Sequence, residues 1–466
     1  MSSTPINTNA EGRRRGGLAS WVTYLPLVAA LAMRLVSETT ADLSYLVIAG
    51  YALFGRAHAI RAIIASWLFT MINPGVAPDP ALDAVGRYAV LFAAALSAYM
   101  QSHLTGVRRG MVPLVLLTLL LGLFIVAHAV LFSAIPDVSV LKAISWTMAM
   151  VTCLSAWSGM SPPQQRELTD QFFWALVVLM VASLPLLQSS AGFRRNGTGF
   201  QGLLNHPQAS GATMALLFAW ATARLLAETR PPWVLIGVAG LSLVSVFLSE
   251  ARTGGVAAIL GVGFALLFGP SSAGRSMLSM APGLRSPRVW ALALLVVVGA
   301  LMMSGAIFDY VQFYITKSGR AGASNLWDAF EISRGRQMDA MLANVSDSLW
   351  TGIGFGIHSE PELMVVSRDP AFGLPLGAAI EKGVAPLMVL EELGLFGAGL
   401  VLVWILLLVR GAARGGLAPF AVATTVVFIN FGEATLFSPG GFGLLTIVLL
   451  GWAYSAGLVR TGPQYG

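Results

Sequence analysis

Charge is scarce in this chain. Of its 466 residues, 11% are Asp, Glu, Lys or Arg, whereas 56% are hydrophobic. A soluble domain carries about 25% charged residues. A water-soluble fold has no way to hide this much apolar surface. Cysteine is scarcer still: Cys153, inside an apolar run, is the single one. Its solitude excludes an intramolecular disulfide and any multi-cysteine zinc site. Paired-ligand metal patterns such as H-E-x-x-H are missing as well,. The glycine run "GIGFG" (352–356) is not a dinucleotide fingerprint and lacks the lysine of a P-loop,. Its glycines instead predict tight turning of the backbone against the membrane surface. The chain has no heptads, internal repeat or low-complexity tract.

Apolar runs are what it has. A spanning helix needs about 20 mostly apolar residues. Fourteen segments come near that length: 18–34, 42–55, 58–73, 86–104, 111–133, 138–158, 171–189, 209–227, 232–248, 254–269, 289–309, 385–409, 417–431 and 441–458. Three are short and suit tilted or re-entrant helices. The predicted class is therefore all-α, a polytopic transmembrane bundle of about 12–14 helices. The 50 glycines fit close helix approach in lipid,. The organisation predicted is a disordered cytoplasmic tail (1–17), a first bundle part (18–309), one long periplasmic loop (310–384), a second bundle part (385–458) and a short tail (459–466). The basic start "RRRGGLASWVTYLPLVAALAMRL" reads as a retained first helix, because no clear small-residue cleavage site follows it.

A net charge of +6 records topology here rather than nucleic-acid binding. With the N-terminus in the cytoplasm, one side collects Arg13, Arg14, Arg15, Arg56, Arg108, Arg109, Arg166, Arg230, Arg275, Arg285, Arg288, Arg410, Arg414 and Arg460. The opposite loops "SETTAD" (37–42), "NPGVAPDPALD" (73–83) and "IPDVS" (135–139) hold no Lys or Arg. Three outer segments break the pattern. They are 189–211 with Arg194, Arg195 and His206, the turn at Glu250 and Arg252, and the long stretch 310–384. Arginine kept on the outer side against the topological preference asks for an anionic ligand.

Each outer group has a functional and a plain reading. Arg252 suits a phosphate, since guanidinium is a planar fork of donors that stays charged near lipid. Glu250 would orient it or accept a proton; the plain alternative is an ion pair snorkelling to water. Arg194 and Arg195 flank an "NGTG" turn fit for an anion, or form an ordinary basic loop. His206, before the helix opened by Pro207, and His358, beside Glu360 and Glu362, are candidate bases, or structural hydrogen-bonding groups. Glu381 and Lys382 form an ionisable pair at a membrane edge, either functional or an interfacial anchor. Glu391 and Glu392 are expected at a bend near Gly394, or packed on polar partners. Glu433 is an outer-loop acid able to close on the same site. Residues 327–348 carry a helical spacing of apolar side chains.

Three stretches together resemble the O-antigen ligase and O-antigen polymerase superfamily of membrane glycosyltransferases. They are "LLNHPQASGATMALL", "LSEARTGGVAAILG", and "RGRQMDAMLANVSDSLWTGIGFG" followed by "LEELGLFGAGLVL". The resemblance covers roughly 190–455. It implies a membrane glycosyltransferase type C fold in the bacterial inner membrane, with a periplasmic site. The implied donor is a glycan on undecaprenyl pyrophosphate, and the acceptor a growing glycan or lipid A core. Other polysaccharide assembly proteins are implied partners, and no metal or nucleotide cofactor is. Carried over by motif, Arg252, and with it Arg194, Arg195 and Arg336, would hold the pyrophosphate. The base would come from Glu381, His206, His358 or Glu250. The ligase pattern places a His-Asn pair shortly before the helix that leaves the loop; here that position reads "IEKG", which favours a polymerase. The rival expectation is a transporter or flippase for lipid-linked sugars, which should carry related halves and midplane charges.

Overall fold

Proline and serine punctuate the apolar runs, and helices start where they stand. Among the described residues, proline stands at the first or second position of seven α-helices, where its missing N–H costs nothing,. Ser37 and Thr40 form a reciprocal capping box,. The computed structural model describes residues 22–105, 108–195, 197–302, 328, 331, 335–369, 373–378 and 382–461. The predicted tail 1–17 and residues 310–327 lie outside these.

Each of the fourteen predicted segments coincides with a helix. In order they are α1 (Leu25–Val36), α2 (Glu38–Ala52), α3 (Arg56–Met71), α4 (Asp83–Thr105), α5 (Val112–Phe132), α6 (Pro136–Gly159) and α7 (Pro162–Ser183). Then come α8 (Pro207–Ala227), α9 (Trp233–Leu248), α10 (Arg252–Ala273) and α11 (Pro287–Met302). In the outer stretch α12 (Arg336–Asp347) forms within the helix expected over 327–348. The bundle ends with α13 (Ala385–Arg414), α14 (Leu417–Ile429) and α15 (Gly441–Thr461). The one sheet among the described residues is an unforeseen antiparallel hairpin of β1 (Val366–Arg368) and β2 (Pro375–Ala378). Arg368 ties it to Asp137 at the start of α6.

Seven helical segments are long and apolar enough to cross a membrane: Arg109–Phe132, Pro136–Gly159, Pro162–Gln188, Pro207–Ala227, Arg252–Ala273, Ala385–Arg414 and Gly441–Val459. Leu25–Val36, Trp233–Leu248 and Leu417–Ile429 are shorter and apolar. Leu120, Leu123, Val256, Leu267 and Leu294 point outward and exposed, as side chains solvated by lipid tails do. The chain is a multi-pass, all-α membrane protein in a lipid bilayer.

Helices α8 and α15 are the most enclosed. Trp220 of α8 and Trp452 of α15 lie 4.4 Å apart between ring centres. A second aromatic knot joins Trp146 of α6, Trp404 of α13 and Phe437. Its polar edges are satisfied: Trp404 donates to Thr118 and Trp146 to the Leu436 carbonyl. Small residues set the crossings. A Cβ on Gly411 would meet the Tyr454 ring at 2.2 Å, so α13 and α15 touch backbone to ring.

The loops gather at two ends. At one, Arg56 donates to the Gly159 carbonyl, Arg108 to Met160 and Arg288 to Pro231. Among the described residues this end holds the arginines assigned above to one side. The other end joins 73 to 203, 200 to 248, 353 and 354 to the α13 carbonyls, and 385 to 430 through main-chain bonds. The unusual outer segments all lie there.

Candidate functional site

At Gly394, α13 breaks. This glycine has φ 65° and ψ −176°, a conformation that side chains disfavour. The break frees main-chain groups, and 349–356 takes them up. Ile353 and Gly354 donate to the Glu391 and Glu392 carbonyls at 2.9 and 3.1 Å, and Leu395 donates to Leu349 at 2.8 Å. Contact is so close that a Cβ on Gly394 would lie 2.2 Å from the Trp350 carbonyl oxygen, and one on Gly352 2.6 Å from the Glu392 carbonyl. The "GIGFG" glycines, all at positive φ, turn the backbone tightly as expected, and Gly352 also lets it dock against the broken helix.

The break also delivers two carboxylates into the interior. Lys382 Nζ lies 2.7 Å from Glu391 Oε2 and 3.0 Å from Glu392 Oε1, and all three side chains are buried. Glu392 Oε2 accepts the Gly356 N–H at 2.7 Å. Glu391 Oε1 accepts from Asn344 of α12 at 2.8 Å. Lys142 of α6 donates to the Gly356 carbonyl at 2.8 Å. Charges taken from water survive only when paired and hydrogen-bonded in this way.

Above this network opens a cavity of about 360 Å³. Arg87 and Tyr88 of α4, Lys142, Lys382 and Glu392 supply its polar wall; Leu91, Phe355, Met388 and Phe437 supply the apolar one. Lys382 is matched by its two carboxylates. Lys142 donates to the Gly356 carbonyl and feels the charge of Glu392, with which it makes no close ion pair among the described residues. Arg87 makes no ion pair or hydrogen bond among the described residues, and its guanidinium lies beside its neighbour Tyr88. Two cations that form no close ion pair face one cavity, and with Lys382 they outnumber the carboxylates lining it, which makes it an anion site by composition,.

Arg252, Arg194, Arg195, Glu250, His206 and His358 are not among the residues that line this cavity. Glu250 is the one non-glycine residue with positive φ, 55°, among the described residues, a strain of about 1–3 kcal/mol that surrounding structure must hold. Thr198 donates to its Oε2 at 3.1 Å, and the Arg252 N–H bonds the Glu250 carbonyl at 3.1 Å. Arg252 opens α10. The structure thus brings 198, 250 and 252 together. Arg194 and Arg195 are exposed on the neighbouring turn, where Gln201 fixes the Arg195 N–H at 2.9 Å. His206 caps α8, its Nδ1 accepting from the Gln208 N–H at 3.1 Å. His358 accepts the Glu360 N–H at 3.0 Å. Arg336 begins α12, and its side chain lies outside the described residues, as does Glu381 altogether. Glu391 and Glu392 meet both expectations, the bend and the polar partners.

One loop joins the two groups. Asn430 Oδ1 accepts from the Thr435 and Leu436 N–H groups and shapes residues 430–440. At one end of the loop Gly432 packs on Thr253, next to Arg252; at the other Gly440 packs on Arg87. Arg87 and Lys142 were not legible as site residues. A signal existed: the chain has three lysines against 25 arginines, and two of the three flank Glu392.

Compared with known proteins, the chain matches no family model and no curated relative.

Proposed function

We propose that this protein is a metal-independent, inverting membrane glycosyltransferase of the type C kind. It would transfer or polymerise glycan from an undecaprenyl-pyrophosphate donor at the arginine-poor end, taken as periplasmic in a bacterial inner membrane. The observation that carries the reading is the cavity lined by Arg87, Lys142 and Lys382 against Glu392, in which Arg87 and Lys142 form no close ion pair. An amphiphilic diphosphate suits a wall half cationic and half apolar. The resemblance of 190–455 supplies the chemistry.

In the reaction, an acceptor hydroxyl oxygen attacks the anomeric carbon. The bond from that carbon to the pyrophosphate oxygen breaks, and the electron pair leaves with polyprenyl pyrophosphate. The hydroxyl proton passes to a base. Pyrophosphate is already a good leaving group, so the protein's work is to position two chains and neutralise growing charge. Arg87 and Lys142 do the latter, with Arg252, Arg194 and Arg195, on the far side of the 430–440 loop, guiding the donor in. A neutral histidine whose Nδ1 accepts an N–H carries its proton on Nε2. His206 is so engaged, which disfavours it as the base. Glu250 is the preferred base among the described candidates.

The test supplies purified protein with a short undecaprenyl-pyrophosphate oligosaccharide, with and without lipid A core. Longer lipid-linked chains identify a polymerase, and transfer only to core a ligase. Lys142→Met, which keeps the stem, should lower turnover on the order of 100-fold. Unchanged turnover in folded Lys142→Met removes Lys142 from the site. One observation favours a second reading, a transporter of lipid-linked sugars. Glu391 lies ~9 Å along a broken helix, and discontinuous helices with buried charge line transport pathways. Export from liposomes without any change in glycan length would establish that alternative.

A further inference from the structure

The lipid-facing wall contains a groove that the cavity does not account for. Helices α4 and α5 both pack along α6, yet hardly touch one another. Between them lies an apolar hollow of about 480 Å³, lined by Ala95 and Ala98 of α4, Leu119 and Leu123 of α5, and Thr147 and Val151 of α6. On its far side α5 is seated hard on α6: a Cβ at Gly122 would fall 2.2 Å from Thr147 Oγ1. Two of the hydroxyls in the groove are spent on their own helices. Thr147 donates to the Ala143 carbonyl and Ser102 to Ala98, each at 2.7 Å. The groove's surface is mainly hydrocarbon, with hydroxyl-bearing Tyr99, Thr152 and Ser155 among its lining and Arg56 bonded to Ser102 at 3.4 Å.

Helix α4 connects groove and cavity. Tyr88 and Leu91 line the cavity, and Ala95, Ala98 and Ser102 line the groove. At 100° per residue these five fall on one face of the helix. The groove section, Ala95 to Ser102, runs ~10 Å along the axis toward the arginine-rich end. A cation-lined cavity above and a hydrocarbon trough below, on one helix face, fit an amphiphile with an anionic head and a single chain. A diacyl phospholipid brings two chains, and one of them would have no trough.

We propose that the groove between α4 and α5 holds the first isoprene units of the polyprenyl chain whose pyrophosphate occupies the cavity. This rests on the donor assigned above. Seating the chain anchors the donor below the cavity, so the groove adds binding affinity without touching the leaving group.

The full chain in phosphatidylethanolamine–phosphatidylglycerol vesicles is photolysed with undecaprenyl phosphate bearing a diazirine near the head end of its tail. Adducts are mapped by peptide mass spectrometry, beside a diazirine-bearing diacyl phospholipid. Expected are polyprenyl adducts concentrated on 95–102, 119–126 and 144–155, competed by unlabelled undecaprenyl phosphate and not by excess phospholipid. Adducts spread over other exposed faces, such as Val256 or Leu294, or equal competition by phospholipid, overturn the proposal. A second variant guards against misfolding. Ala95→Trp fills the trough and should raise the KM for the lipid-linked donor at least about tenfold, the equivalent of displacing a couple of buried methylenes, with kcat unchanged. An unchanged KM in folded protein counts against the groove. The two readings fail separately. Groove adducts without any glycan transfer leave the lipid site standing and remove the enzyme; transfer with adducts elsewhere does the reverse.

Discussion

At the scale of single residues, the chain spends its rare charges in pairs. Lys382 touches Glu391 and Glu392, and removing one member of a buried ion group leaves the others uncompensated,. Lys382→Met should destabilise the fold by about 3–5 kcal/mol. Adding Glu391→Gln and Glu392→Gln should recover part of that loss; thermal unfolding in detergent measures both. Glu250 poses a different case. Its left-handed backbone and its bond from Thr198 hold a carboxylate in place at a cost in strain. Asn tolerates that conformation. Glu250→Asn should therefore keep stability within ~1 kcal/mol while turnover falls on the order of 100-fold, as expected for loss of a general base. Equal turnover would leave Glu250 a turn residue only.

At the scale of elements, the break in α13 organises the site. A continuous helix through 391–395 would keep its own hydrogen bonds and leave 349–356 nowhere to dock. Gly394→Ala forces a side chain into φ 65° and against the Trp350 carbonyl. It should cost at least ~2 kcal/mol and expose 349–356 to proteolysis, read by limited digestion. The element boundaries themselves were legible. The apolar run lengths place most of the helices to within a few residues, but α7 begins at Pro162, nine residues before the expected start at 171, because its polar first turns carry no apolar signal. Legible too was a bend near Gly394, since glycine after paired glutamates inside an apolar run has few other uses. The docking of "GIGFG" on that bend was not, because 38 residues separate Gly356 from Gly394 and periodicity carries no long-range pairing.

At the scale of the whole molecule, the arginine-rich end should face the cytoplasm. With Cys153, which is buried, replaced by serine, single cysteines report sidedness. Val76→Cys and Leu363→Cys should react with an impermeant maleimide in intact cells, and Arg230→Cys only after permeabilisation. The reverse pattern would turn the site toward the cytoplasm. Composition and run length alone determined the class, the helix positions and the segregation of arginine, because burial in lipid is a property of local sequence. They also marked the unusual outer arginines and Glu250. Tertiary structure alone decided that Arg87, Lys142, Lys382 and Glu392 share one cavity. Those four come from α4, α6, the segment leading into α13 and its broken turn, and a lone charge in an apolar helix does not announce which neighbour it will meet. Electrostatic sites arise from distances in space, and the folded chain is what sets them.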